Sequence, residues 1–155
     1  MTAVALLVSG PPASGKTTLA REVAERIGAC LLDLDVVTGA LTEAIGKLVG
    51  STDLDSPAFA GDLRVARYEC LLAAAEDNLR LGRPVVLVAP FTAERTSPAA
   101  WESVRRRLIA AGGRPNLVWL RVSRDELVRR LRARGADRDA AKLADPESFL
   151  ANHSV

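Results

Sequence analysis

Gly10-Pro11-Pro12-Ala13-Ser14-Gly15-Lys16-Thr17 meets the pattern G-x-x-x-x-G-K-[ST] at every fixed position. The preceding run Ala3-Val4-Ala5-Leu6-Leu7-Val8 is short and almost wholly apolar, as a buried parallel strand requires. After it Leu19, Val23 and Ile27 recur at helical spacing, and Gly28 is placed to close the helix in a left-handed cap. Strand, glycine loop and helix together make the stretch a phosphate-binding P-loop. Glycines at 10 and 15 allow successive N–H groups to converge on a polyphosphate at the positive end of a helix. Lys16 supplies a mobile charge for the β and γ phosphates, and the Thr17 hydroxyl is of the type that ligates Mg²⁺. The alternative is a glycine-rich turn that only joins a strand to a helix.

Outward from this loop, the 155-residue chain has the size of one domain, and no linker, repeat or low-complexity tract divides it. Hydrophobic residues make up 48% and charged residues 26%, the balance of an ordinary soluble globular protein. A net charge of +2 does not call for a nucleic-acid or membrane partner. Cys30 and Cys70 form no C-x-x-C, and His153 is the one histidine, so a structural zinc site is not expected. Both cysteines are read as small buried hydrophobes in a reducing compartment, which points to the cytoplasm. The first apolar run stops at Ser9, too short for a signal peptide or membrane span.

Cys30-Leu31-Leu32-Asp33-Leu34-Asp35 is a second strand candidate ending in two carboxylates. Ligands in open parallel sheets bind beyond the carboxyl ends of the strands, where these acids can face the phosphates. If the strand persists, Asp33 and Asp35 point the same way. The other reading makes Asp35 the N-cap of a helix from about Val36 to Val49 and Asp33 a solvated acid. Val37, Leu41, Ala44, Ile45 and Leu48 mark the apolar side of that helix. Ser56-Pro57 predicts the start of the next, whose buried stripe is read as Leu63, Ala66, Cys70, Ala73 or Ala74, and Leu81. Arg64, Arg67, Tyr68 and Glu69 lie on its other faces, either as solvated charge pairs or as ligand contacts.

Pro84-Val85-Val86-Leu87-Val88-Ala89 reads as a central strand buried on both faces. It ends without the acid that many P-loop proteins carry there, so the metal-side carboxylate is sought on the preceding strand. Phe91 to Thr96 is read as a loop, Ser97-Pro98 as the cap of a helix carrying Trp101, Val104 and Leu108, and Arg105, Arg106 and Arg107 as its solvated face. Asn116 to Val122 is read as another buried strand, with Trp119 in the core. Ser123-Arg124-Asp125-Glu126 has capping-box spacing before a helix with Leu127, Val128 and Leu131. Arg129, Arg130, Arg132, Arg134 and Arg138 cluster around Gly135, either as a solvated face or as a mobile lid over phosphates spanning about 130–142. The alternation of strands and helices predicts an α/β, three-layer P-loop NTPase fold, with a parallel sheet of about four or five strands flanked by helices.

Gly10 to Thr18, the Asp33-Leu34-Asp35 pair and the Arg130 to Asp139 region resemble the small P-loop kinases of the nucleoside-monophosphate-kinase-like group, over nearly the whole chain. That group includes shikimate kinase, gluconate kinase, chloramphenicol phosphotransferase and the kinase domain of polynucleotide kinase. The resemblance implies ATP and Mg²⁺ as cofactors, with Gly10, Pro11, Pro12, Ala13, Ser14, Gly15, Lys16, Thr17, Thr18 and Arg130 as nucleotide contacts. It implies Mg²⁺ support by Thr17 and Asp33 and contact of Asp35 with the acceptor hydroxyl. Arg64 and Arg67 correspond to acceptor-binding arginines, although the glycine triplet of shikimate kinase is missing after the third strand. Lys16, Asp35, Arg134 and Arg138 are then the catalytic set. The expected activity is ATP-dependent phosphoryl transfer to a hydroxyl of a small-molecule acceptor. The rivals are a slow regulatory ATPase acting on a protein partner and a kinase of nucleic-acid 5′ hydroxyls. Folds of this group usually end with a fifth strand and helix, whereas only one more helix, near Pro146 to Ala151, is predicted here.

Overall fold

A computed structural model describes residues 2–50 and 61–134. The elements follow in the order β1 (Ala3–Ser9), α1 (Lys16–Ile27), β2 (Cys30–Asp33), α2 (Leu34–Val49), α3 (Asp62–Arg80), β3 (Val85–Val88), α4 (Thr92–Thr96), α5 (Pro98–Ala110), β4 (Gly113–Trp119) and α6 (Arg124–Arg134). The Ser56-Pro57 helix start, Arg138, and the helix expected near 146–151 lie outside the described residues.

The four strands form one parallel sheet in the order β2-β3-β1-β4. β1 and β3 are central, and Val85 to Val88 are buried without alternation, as their apolar run requires. Ala3, Ala5, Leu7, Val85 and Leu87 project from one face onto Leu71, Leu72, Ala75 and Leu79 of α3 and Val104 and Leu108 of α5. Val8, Val86 and Val88 project from the other onto Ala20 and Ala24 of α1. β1, β2 and β3 thus feed two cores through their period-two alternation, and the result is the expected three-layer P-loop NTPase architecture. No described helix is long and apolar enough to cross a membrane.

Several local expectations are corrected. β4 is an edge strand: its residues alternate in burial, Asn116 is exposed, and Trp119 is half-buried with the Arg95 guanidinium 4.3 Å above its ring. A strand with one neighbour keeps one side toward water, which the apolar run Leu117-Val118-Trp119 concealed. In α2 the buried residues are Leu34, Thr38, Thr42 and Gly46, while Val37, Leu41 and Leu48 are exposed. In α3 the buried stripe is Leu71, Leu72, Ala75 and Leu79, and Leu81 and Cys70 are exposed. Phe91 to Thr96 contains the short helix α4. Arg107 is no solvated residue: it bonds Glu69 at 2.7 Å and Glu76 at 2.8 Å, tying α5 to α3.

Candidate nucleotide and phosphoryl-transfer site

The parallel register brings the carboxyl ends of the strands to one crest. Asp33 lies beside Val88, Val88 beside Val8, and Ser9 beside Trp119. The Ser9 hydroxyl donates to Pro90 O and pins the end of β1 to the chain leaving β3. From this crest the loop Gly10–Gly15 rises and enters α1. Gly10 has φ 151°, and a Cβ there would meet Ser14 Oγ at 2.8 Å and Leu120 O at 3.0 Å. Gly15, with φ 95°, is the N-cap of α1. Ala13 adopts φ 61°, a left-handed conformation costing about 1 kcal/mol for a residue with a Cβ. Its side chain packs on the buried Leu127 and Leu131 of α6.

Three features make this loop fit an anionic ligand. No side chain caps the N-terminus of α1, whereas Asp33 caps α2 and Ser97 caps α5. The Ser14 hydroxyl, in a residue only 6% exposed, has no hydrogen-bond partner among the described residues. Lys16 Nζ donates to Gly10 O and Pro11 O, both at 2.8 Å, so its charge lies over the loop itself. Converging N–H groups, an orphaned hydroxyl and a lysine at a helix N-terminus are the donor set for a nucleotide polyphosphate.

The metal side is equally local. Leu31 and Asp33 share the face of β2 that looks toward α1, because Leu32 packs on the opposite core. Thr17 Oγ1 accordingly donates to Asp33 Oδ2 at 3.2 Å. With its hydrogen given to the acid, the Thr17 oxygen keeps lone pairs of the kind a hard cation takes as ligands. No group of three or more His, Cys, Asp or Glu suited to a metal occurs among the described residues. Thr17 and Asp33 are hard oxygen donors of the type that suits Mg²⁺ keeping most of its water.

The strand does not persist to Asp35. Asp33, not Asp35, is the N-cap: its Oδ1 accepts from Asp35 N at 3.0 Å, and α2 starts at Leu34. Asp35 consequently leaves on the first helical turn and meets α3, where Arg67 Nη2 donates to Asp35 Oδ1 at 2.8 Å and Arg67 Nε to Thr38 Oγ1 at 2.8 Å. Thr38 passes its own hydrogen to Leu34 O at 2.6 Å. The side chain of Arg67 is 14% exposed and that of Asp35 60%. The carboxylate thus stands in solvent, held from behind by a largely buried guanidinium.

At the next residue of α3, the Tyr68 hydroxyl accepts from Phe91 N at 3.2 Å, and the two rings meet edge to face with centroids 5.8 Å apart. Phe91 is fully buried with φ 42°, so this contact holds the turn leading into α4. Burial pushes the Tyr68 phenol above its ordinary range, opposed by the Phe91 N–H; Glu94 lies close enough to push the same way, and the exposed Arg64 stands within reach of the hydroxyl. Asp35, Arg64, Arg67, Tyr68 and Glu94 thus belong to the α2, α3 and α4 side of the crest. Arg130 is on the opposite side, in α6, where its Nη1 donates to Ser14 O at 3.2 Å. Arg134 closes α6, and Thr18 is exposed on α1. Sequence reasoning had no role for Thr38 or Arg95, and for Tyr68 it offered only a solvated surface or a ligand contact. The arginines at 64 and 67 drew the eye to the same helix face, but nothing in the spacing shows that Tyr68 reaches Phe91.

A P-loop at the head of a parallel sheet, with its threonine bonded to a strand-end carboxylate, defines a P-loop nucleotide-binding domain. The chain belongs to the AAA domain family AAA_33, a P-loop kinase family, which matches residues 6–154. Among curated proteins, no match to the sequence was found. Solved structures share the fold. A candidate kinase from Chloroflexus aurantiacus J-10-fl is similar with a TM-score of 0.67 and 22% identity, over 94% of this chain and 78% of that one. A gluconokinase from Sinorhizobium meliloti 1021 has a TM-score of 0.56 and 21% identity, over 94% and 73%. A chain of the Pnkp1/Rnl/Hen1 RNA repair complex has a TM-score of 0.62 and 16% identity, over 96% of this chain but only 45% of its own length.

Proposed function

We propose that this protein transfers the γ-phosphate of ATP to a hydroxyl of a small-molecule acceptor. The observation that carries the reading is the placement of a solvent-facing carboxylate, Asp35, one residue from Asp33, which is itself bonded to the P-loop threonine. A slow ATPase acting as a switch needs the P-loop and Asp33 but has no use for a second, braced carboxylate beside them.

In this reading the loop from Gly10 to Thr17, with Thr18, surrounds the phosphates, and Lys16 leaves Gly10 O and Pro11 O to lie against the β and γ groups. Thr17 and Asp33 would hold Mg²⁺, which would supply positive charge to offset that of the phosphates. Asp35 accepts the hydrogen of the acceptor hydroxyl, which it can do only within hydrogen-bond reach. Arg67 keeps that carboxylate in place, while Arg64 and the Tyr68 and Glu94 groups border the space in which the rest of the acceptor sits. Arg134 and Arg138 remain proposed stabilisers of the transferred phosphoryl group. A cytoplasmic setting stays part of this reading, but the cysteines do not argue for it, since Cys30 is half-buried and Cys70 exposed where both were expected to be buried.

The test is ADP release from ATP·Mg²⁺ against a panel of neutral sugars, sugar acids, amino alcohols and a 5′-hydroxyl oligonucleotide. One or more small hydroxyl compounds should raise the rate well above the background with water. Lys16→Ala should lower the stimulated rate by about two orders of magnitude or more, the scale of a lost preorganised contact. Stimulation by the oligonucleotide alone would move the acceptor to nucleic acid, and stimulation by none would favour the switch.

A further inference from the structure

α6 carries a polar chain that the phosphoryl-transfer reading does not use. Glu126 accepts from Arg129 Nη2 at 2.6 Å and Nε at 2.8 Å through one oxygen, and from Arg130 Nε at 2.5 Å through the other. Such i,i+3 and i,i+4 pairs are ordinarily solvated decoration. This one is different because Arg130 makes a second contact far away in sequence, donating from Nη1 to Ser14 O at 3.2 Å. The same Nη1 lies 3.6 Å from the point where a Cβ on Gly15 would stand. Leu127 and Leu131, on the same helix, are buried against Ala13 of the loop. Apolar and polar contacts therefore both seat α6 on the P-loop. Through Leu127, Arg130 and Leu131 the helix is docked on the loop, while most of the 130–142 span read as a lid lies outside the described residues.

Peptide planarity gives the contact its consequence. Ser14 C=O and Gly15 N–H belong to one rigid unit and point in opposite directions. A donor that holds Ser14 O on one side fixes the direction of Gly15 N–H on the other. That N–H is the last before α1 begins, among the groups that converge on a bound phosphate. Glu126 does not cancel the charge of Arg130, because one carboxylate is shared by two guanidiniums. It fixes the plane of the guanidinium through Nε and leaves Nη1 aimed at the loop. The arginine pairs hold the Glu126 carboxyl below its usual range, Arg130 first, so it stays ionised at neutral pH.

We propose that Glu126 and Arg130 are positioning residues that brace the Ser14–Gly15 peptide of the P-loop from outside, presetting its N–H for the β-phosphate. The proposal needs a nucleotide on the P-loop but no phosphoryl acceptor, so it stands or falls separately from the transfer reaction. Both side chains are on the surface of α6, and Glu126→Ala, Arg130→Met and the double variant should fold, as melting curves of the free proteins will report. Calorimetric titration with AMP, ADP·Mg²⁺ and ATP·Mg²⁺ then separates the possibilities. Each single variant should weaken ADP and ATP alike, by about tenfold, the scale of one hydrogen bond to a charged group. AMP should be unaffected, and the double variant should be no worse than the weaker single one. Hydrogen exchange at Leu127 to Leu131 should be equally slow with and without ADP·Mg²⁺. Additive losses, an unchanged Glu126→Ala protein, or strong slowing of that exchange by nucleotide would overturn the brace. Weakening of ATP with ADP untouched would also overturn it and assign Arg130 to the γ-phosphate. Absence of ADP binding in the unaltered protein would remove the P-loop reading itself.

Discussion

Asp33 and Asp35 are two residues apart and do different things because a helix begins between them. Asp33 is still extended, so one oxygen caps α2 while the other takes the Thr17 hydrogen. Asp35 is already helical and has turned to Arg67. Asn caps a helix about as well as Asp, so Asp33→Asn should cost little stability, whereas Asp33→Ala should cost about 1 kcal/mol through the lost cap. The catalytic effects should separate along another axis. Asp33→Asn is expected to raise the Mg²⁺ concentration needed for half-maximal ADP release, with partial recovery at high metal. Asp35→Asn should lower acceptor phosphorylation and leave ATP affinity as it was. With Asp35 more than half exposed, loss of its ion pair should change stability by well under about 1 kcal/mol. A protein in which Asp35→Asn phosphorylates its acceptor at full rate would need its base elsewhere, Glu94 being next to the same space.

At the scale of elements, α2 and α3 show where a hydrophobic pattern misleads. Val37, Leu41 and Leu48 have helical spacing, and the helix is there, but Thr38 and Thr42 face the protein. Their hydroxyls satisfy themselves on the previous turn, at Leu34 O and Thr38 O, and Thr38 also receives Arg67. A polar inter-helix contact made of groups bonded within their own helix leaves no trace in apolar periodicity. α3 is apolar on more than one side, so two stripes fitted its sequence and the pattern chose the outer one. β1, β3 and the loop were legible because a continuous apolar run and a glycine pattern each have one structural solution. Tyr68 offers a direct measurement of the α3 to β3 junction, since it is the one tyrosine in the sequence. Its phenolate absorbance should appear with a midpoint above the ordinary value of 10.0, because burial disfavours the charged form. The sign follows from linkage: a raised folded-state value means that the contribution of Tyr68 to stability is complete below the ordinary phenol range and is lost as pH rises above it. Tyr68→Phe should abolish the absorbance change and, by freeing Phe91 N, lower stability by about 1 kcal/mol. A midpoint at or below 10.0 in the folded protein would show that the hydroxyl is in solvent and that Phe91 is held by other means.

Across the whole molecule, the nucleotide site is assembled from parts that fold against opposite faces of the sheet. α1 belongs to the core built on Val8, Val86 and Val88, whereas Asp35 and Arg67 stand on helices packed over Leu7 and Leu87. Those two cores share only the sheet, and α6 touches the loop through a small third cluster. A ligand that takes N–H groups from the loop, the Thr17 and Asp33 pair from the crest, and the peptide braced by α6 therefore links segments that little else couples. Binding to the folded chain alone stabilises it by RT ln(1 + [L]/Kd), about 2.7 kcal/mol when ligand is present at a hundred times its Kd. For a chain of this length that corresponds to a rise in Tm of about 5–10 °C, because 1 kcal/mol shifts a domain of 150 to 250 residues by about 2–4 °C. Lys16→Ala should melt near the unaltered protein when free, since the bonds its ammonium gives to Gly10 O and Pro11 O are local to the loop, and should lose most of the ATP·Mg²⁺ increment. Scanning both proteins with and without saturating ATP·Mg²⁺ checks this. Equal shifts in the two would place the nucleotide away from Lys16, and no shift in either would mean that the loop, though built for phosphate, does not hold ATP.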